Sequence, residues 1–160
     1  MLMSWLRIGA RLRRAMAEQT LGIALCSGLA ALSSGCGGPQ PDASDPIFPL
    51  ASYLTLTSDS GNLTVEVRTS PDQPFQVGGG SVQYLVRDRQ GLPVDGLTFN
   101  VTPWMPAMGH GASVKPTGAS SGDGAYVISG VSLYMAGLWE LRTSISGGVS
   151  DSLAPSVEVE

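Results

Sequence analysis

From residue 52 onward the apolar positions of this chain recur at every second residue. Leu63, Val65 and Val67 alternate with Thr64, Glu66 and Arg68, and Val82, Tyr84 and Val86 with Gln83, Leu85 and Arg87. Leu97, Phe99 and Val101 alternate with Thr98, Asn100 and Thr102, and Trp139, Leu141, Thr143 and Ile145 with Glu140, Arg142 and Ser144. Successive side chains of a strand leave it on opposite sides, so a strand with one buried and one wet face must read this way. Further strands are predicted over residues 53–57, 112–117, 125–131 and 153–159. Turn-forming clusters separate the runs: Ser58-Asp-Ser-Gly-Asn62, Asp88-Arg-Gln-Gly91, Ser120-Ser-Gly-Asp-Gly124 and Gly147-Gly-Val-Ser-Asp151. No segment after Cys36 carries a helical period.

Short, regularly spaced strands with such turns predict an all-β domain over residues 52–160. The expected form is an immunoglobulin-like antiparallel β-sandwich of seven or eight strands. The Cys…Trp…Cys spacing of antibody domains is absent, so the likeness is one of architecture. Neither cysteine of the chain, Cys26 or Cys36, lies in this region. Its stability must therefore come from an apolar core, which a domain of this length can bury.

The N-terminus follows a different pattern. A stretch with four arginines (Arg7, Arg11, Arg13, Arg14) leads into twelve apolar or small residues, Leu21 through Leu32, too few to span a bilayer as a helix. Basic flank, short apolar core and small residues at the end are the parts of a secretory signal peptide. The segment Leu32-Ser33-Ser34-Gly35-Cys36 resembles the lipobox of bacterial lipoprotein signals, with Ser33 where that pattern usually has leucine. The resemblance implies a signal over residues 1–35, cleavage before Cys36 and lipidation of Cys36. Gly37, rather than an aspartate, follows the cysteine, which by the same resemblance implies the outer membrane, facing the periplasm, in a Gram-negative host. The basic–apolar–small order also fits ordinary secretion with Cys36 left as a free thiol.

Between Cys36 and the first strand, residues 36–51 hold Pro39, Pro41, Pro46 and Pro49 among small and polar residues. Prolines deny the segment a sheet ladder, and it reads as a tether. From Cys36 to the C-terminus there are five basic and twelve acidic residues, a formal charge of −7. Nucleic acid is excluded as a partner, because phosphate binding needs a basic patch. Attraction to an anionic lipid surface is excluded for the same reason, so membrane attachment calls for a covalent anchor.

One stretch departs from the alternation: Pro103-Trp104-Met105-Pro106-Ala107-Met108-Gly109-His110-Gly111, which holds the only histidine. Pro103 and Pro106 are expected to end the preceding strand and leave residues 105–110 as a loop. Met135-Ala-Gly-Leu-Trp139 enters a later strand. Thioether sulfur is soft and selects Cu(I), and imidazole also suits copper. Met105, Met108 and His110 with Met135 thus form a candidate Cu(I) set, which Trp104 or Trp139 would shield. The same residues also suit plain packing, because methionine fills irregular gaps under loops and Gly109 and Gly111 suit a tight turn. A single histidine without cysteine excludes the usual structural zinc sets. Asp95 and Asp123 sit in turns, where aspartate commonly bonds locally. Gly78-Gly79-Gly80 lacks the helix and lysine of a phosphate loop. No nucleophile elbow or oriented histidine is visible, so an enzyme is not expected.

Gly91-Leu92-Pro93-Val94, Met105-Pro106-Ala107-Met108-Gly109-His110-Gly111, Gly124-Ala125-Tyr126 and Met135-Ala136-Gly137-Leu138-Trp139 together resemble the YtkA-like domain, related to the FixH group. The resemblance covers residues 81–145. It implies an immunoglobulin-like fold in a bacterial envelope protein, and through the FixH-type relatives an association with copper delivery. The transmembrane anchor of FixH proteins is replaced here by the expected lipid. Two functions are therefore expected: an envelope lipoprotein handling Cu(I) and serving a copper acceptor, or a metal-free adaptor that presents a sheet edge or loop end to an envelope partner.

Overall fold

The alternating runs become strands that lie antiparallel in two layers. The computed structural model describes residues 45–160, so the signal and Cys36 lie outside the described residues. The strands are β1 (Leu54–Thr57), β2 (Leu63–Ser70), β3 (Gly78–Asp88), β4 (Thr98–Met105), β5 (His110–Gly111), β6 (Thr117–Gly122), β7 (Ala125–Leu133), β8 (Gly137–Ser146), β9 (Asp151–Leu153) and β10 (Ser156–Val159). One sheet has the order β1-β2-β3-β7-β6; the other has β10-β8-β4-β5, with β9 also paired to β8. There is no helix among the described residues. The domain is the all-β, immunoglobulin-like antiparallel β-sandwich that the alternation predicts.

Register keeps the apolar rows together. Val65 lies opposite Val86, Val67 opposite Tyr84, and Tyr84 opposite Tyr126 in the first sheet. Phe99 lies opposite Ile145 in the second. All of these side chains are buried. A slip of one residue would turn every one of them to solvent, which is why the pairing is well specified. Phe99 reaches across the layers to Tyr126 and Tyr84, with ring centroids 4.6 and 5.7 Å apart in tilted arrangements.

The strand count rises to ten for two local reasons. The expected strand 153–159 is an edge strand split into β9 and β10 around Ala154 and Pro155, and β5 is only two residues long. Two expectations are corrected. The strand expected over 112–117 is irregular up to Pro116, and β6 instead occupies Thr117–Gly122, running into the predicted turn cluster. Every residue of β6 is exposed, so this edge strand has no alternation to read. Its Gly118 sits so close to Ile128 and Phe99 that an added Cβ would lie 3.1 Å from the Ile128 side chain.

Nor does Pro103 end β4. Its carbonyl accepts from the Ala112 amide (3.1 Å), while Leu141 opposite it donates to Pro155 (2.8 Å). Pro103 therefore turns its missing N–H to the same side as its carbonyl, away from β8, and no ladder bond to β8 is lost.

Two of the recurrent sequence pieces meet at one end of the sandwich. The Asp88 carboxylate accepts the amides of Gln90 (2.8 Å) and Leu92 (2.9 Å), closing the turn that leads to Pro93 and Val94. Gly124, with φ +72°, lies under that turn, and a Cβ there would come within 2.5 Å of the Val86 carbonyl oxygen. Asp95 accepts the Gly124 amide (2.9 Å). The Tyr126 phenol then donates to the Val94 carbonyl (2.8 Å) and accepts from the Leu97 amide (3.1 Å). Gly91-Leu-Pro-Val94 and Gly124-Ala-Tyr126 are thus one structural corner.

At the N-terminal side, residues 45–51 carry no strand. Asp45, Pro46 and Phe48 border a groove with Gln83, Val127 and Ser129 on the outer face of the first sheet.

Candidate functional site

The other two sequence pieces meet at the opposite end, where β4 and β7 finish. β4 turns into β5 through Pro106, Ala107, Met108 and Gly109, and the Met105 carbonyl accepts the amides of Met108 (3.2 Å) and Gly109 (3.0 Å). Gly109 closes the hairpin in the left-handed region at φ +67°, where a side chain would be strained. His110 then pairs with Met105 and Gly111 with Trp104. A Cβ on Gly111 would lie 2.9 Å from the Pro103 carbonyl oxygen, so glycine lets the returning strand close on β4. Across from this hairpin, Tyr134, Met135 and Ala136 link β7 to β8. The Trp139 indole N–H donates to the Met135 carbonyl (2.9 Å) and fixes the link over the indole.

A cleft of about 150 Å³ opens between the two hairpins. His110, Gly111, Ala112, Ser113 and Val114 line one side, Ser132, Tyr134 and Met135 the other, and Trp139 contributes its ring. The His110 ring stands edge-on to the Trp139 ring, 6.3 Å between centroids. Among the described residues, no Asp, Glu, Lys or Arg lines the cleft. Among the lining residues, the groups that could hold an ion are the His110 imidazole and the Met135 thioether, which suit a soft cation better than calcium or magnesium.

Of the four expected ligands, the structure brings two to this cleft. His110 and Met135 line it. Met105 is a core side chain, 5 % exposed, packed where a Cβ on Gly137 would sit 3.1 Å from its terminal methyl. Met108 is 56 % exposed on the hairpin and does not line the cleft. Of the two candidate shields, Trp139 is buried at the cleft, while Trp104 lies beneath the Arg142 guanidinium, 4.6 Å from the ring centroid. Sequence reasoning passed over Tyr134, whose position immediately before Met135 was the available signal, and Val114, for which the misplaced strand gave none. Among the described residues no three His, Cys, Asp or Glu side chains gather as a metal site.

Elsewhere, the perturbed acid is structural. At Asp151, partial burial pushes the carboxyl up, but hydrogen bonds from Ser58, Ser60 and the Ser152 amide outweigh it and hold the group down at about 2. These bonds tie the β1–β2 turn to β9, as does the Asp59 amide donating to the Ser152 carbonyl (2.8 Å). Burial pushes the Tyr84 phenol up, against a smaller opposing effect of its hydrogen bond to Thr143.

A family model described as YtkA-like matches residues 57–144. The chain belongs to the YtkA-like family. The match takes in the structural corner and both hairpins of the cleft, and stops before β9 and β10. No curated protein and no solved structure matches the chain.

Proposed function

We propose that this YtkA-like protein is a membrane-anchored envelope lipoprotein, attached through Cys36, that handles Cu(I) at the His110–Met135 cleft without catalysing a reaction. The observation carrying the copper reading is that one histidine and one methionine, from separate hairpins, line a single cleft without carboxylates. Both donors suit Cu(I), and the adjoining indole would limit water access to a low-coordinate ion. The lipid anchor rests on the cysteine after the apolar N-terminal run and on the acidic charge, which gives no electrostatic hold on anionic lipid.

A Cu(I) competition titration tests the reading, using a chain with Cys26→Ser and Cys36→Ser so that no thiolate competes. One-to-one binding is expected, weakened at least about tenfold in His110→Ala/Met135→Leu, with the fold unchanged by circular dichroism. A folded protein that binds no Cu(I) refutes it. Metabolic labelling with a fatty acid, lost in Cys36→Ala, tests the anchor separately.

A second reading, a metal-free adaptor, draws on a specific observation: Met108, Val114, Tyr134, Met135 and Leu138 are all exposed apolar side chains at this end of the sandwich. Partner capture that survives loss of His110 and Met135 would favour it.

A further inference from the structure

The cleft is lined by one histidine and one methionine, whereas the other two candidate methionines lie in the core and on the outside of a hairpin. Resting on the copper reading, we propose that the Cu(I) site is incomplete within this chain and is completed by a methionine thioether from a partner protein docked on the apolar rim. Two donors are half of the four-residue set expected from the sequence, and no other His, Met or Cys among the described residues lines the cleft, so a further donor has to enter through its open mouth. The lining selects its chemistry. Cu(I) prefers soft donors to carboxylate oxygen, and no lysine or arginine in the lining would draw a carboxylate in. The indole, Val114 and Tyr134 offer apolar contact to an uncharged, polarisable side chain. Around the mouth, Tyr134 is 69 % and Leu138 48 % exposed, surface that a docked chain would cover. A donor that arrives with the partner also makes transfer direct, because the incoming thioether binds the ion before the first two donors release it. Such an exchange moves Cu(I) without any change of oxidation state or proton transfer.

The test uses the Cys26→Ser/Cys36→Ser chain, Cu(I), and two blocked tripeptides, Ala-Met-Ala and its norleucine counterpart, which has the same shape without sulfur. The methionine peptide is expected to tighten Cu(I) binding about tenfold, and by reciprocal linkage Cu(I) must tighten peptide binding by the same factor. The norleucine peptide is expected to do neither. X-ray absorption should show one added Cu–S contact with the methionine peptide. Binding of Cu(I) that neither peptide strengthens overturns the proposal and leaves the copper reading standing. Equal strengthening by both peptides overturns it in favour of a purely apolar anchor. A Cu(I)-dependent dimer overturns it in favour of Met108 from a second copy. If the folded chain binds no Cu(I), the copper reading fails and takes this proposal with it.

Discussion

Two tyrosines of the same core differ sharply in what their hydroxyls hold, and Tyr126→Phe against Tyr84→Phe turns that difference into a measurement. Both residues are buried to within 1 %. The Tyr126 hydroxyl serves two backbone groups, the Val94 carbonyl (2.8 Å) and the Leu97 amide (3.1 Å), at a corner before β4 begins. Removing it strands a buried amide as well as deleting a bond, so the change should cost about 2 kcal/mol, the middle of the range for an unsatisfied buried donor. The Tyr84 hydroxyl meets only the Thr143 hydroxyl (3.2 Å), which itself donates to the Leu141 carbonyl (2.8 Å). Tyr84 must then be the donor, and its loss leaves Thr143 still bonded. Tyr84→Phe should cost about 0.5 kcal/mol, at the low end for a net hydrogen bond. Urea denaturation at pH 7 reads both, with unchanged m-values showing that only stability moved. For a domain of this size the first change should lower Tm by about 8 °C and the second by about 2 °C. Equal costs for the two variants would refute the assignment of the corner to Tyr126.

The remaining predictions concern charge and the site. Asp151 is held at about 2 when folded, below the ordinary carboxylate value near 4. Its contribution is therefore present above pH 4 and is lost as pH falls through 2, so Asp151→Asn should flatten the stability curve across that window and lower stability at pH 7. Parallel urea midpoints for the two proteins between pH 2 and 7 would sink this. Met105→Leu should cost under about 1.5 kcal/mol and Met105→Ala about 2–5 kcal/mol, as for a core side chain. Cu(I) affinity should persist in the leucine variant; a loss matching that of His110→Ala would return Met105 to the ligand set.

Much of the architecture is written in the sequence, because burial on one face of a sheet imposes a period of two that any reader of Leu63 to Val67 or Trp139 to Ile145 can see. The period fails where no face is buried, which is why β6 was hidden among its serines and glycines while the polar–apolar run before it suggested a strand. It also says nothing about which neighbour each residue's N–H faces, and this decided that β4 runs on through Pro103, whose missing N–H faces away from β8. The same limit applies to the candidate site. Residue type and proximity in sequence singled out Met105, Met108, His110 and Met135 together, yet Met105 and Met108 are three residues apart and diverge, one into the core and one to solvent. His110 and Met135 are far apart in sequence and face one cleft, because the hairpins after β4 and β7 close the same end of the sandwich. Composition determines which chemistry this chain can offer. Only the packing of two sheets, which sets where each strand ends and which way its last side chains turn, decides which of those groups meet.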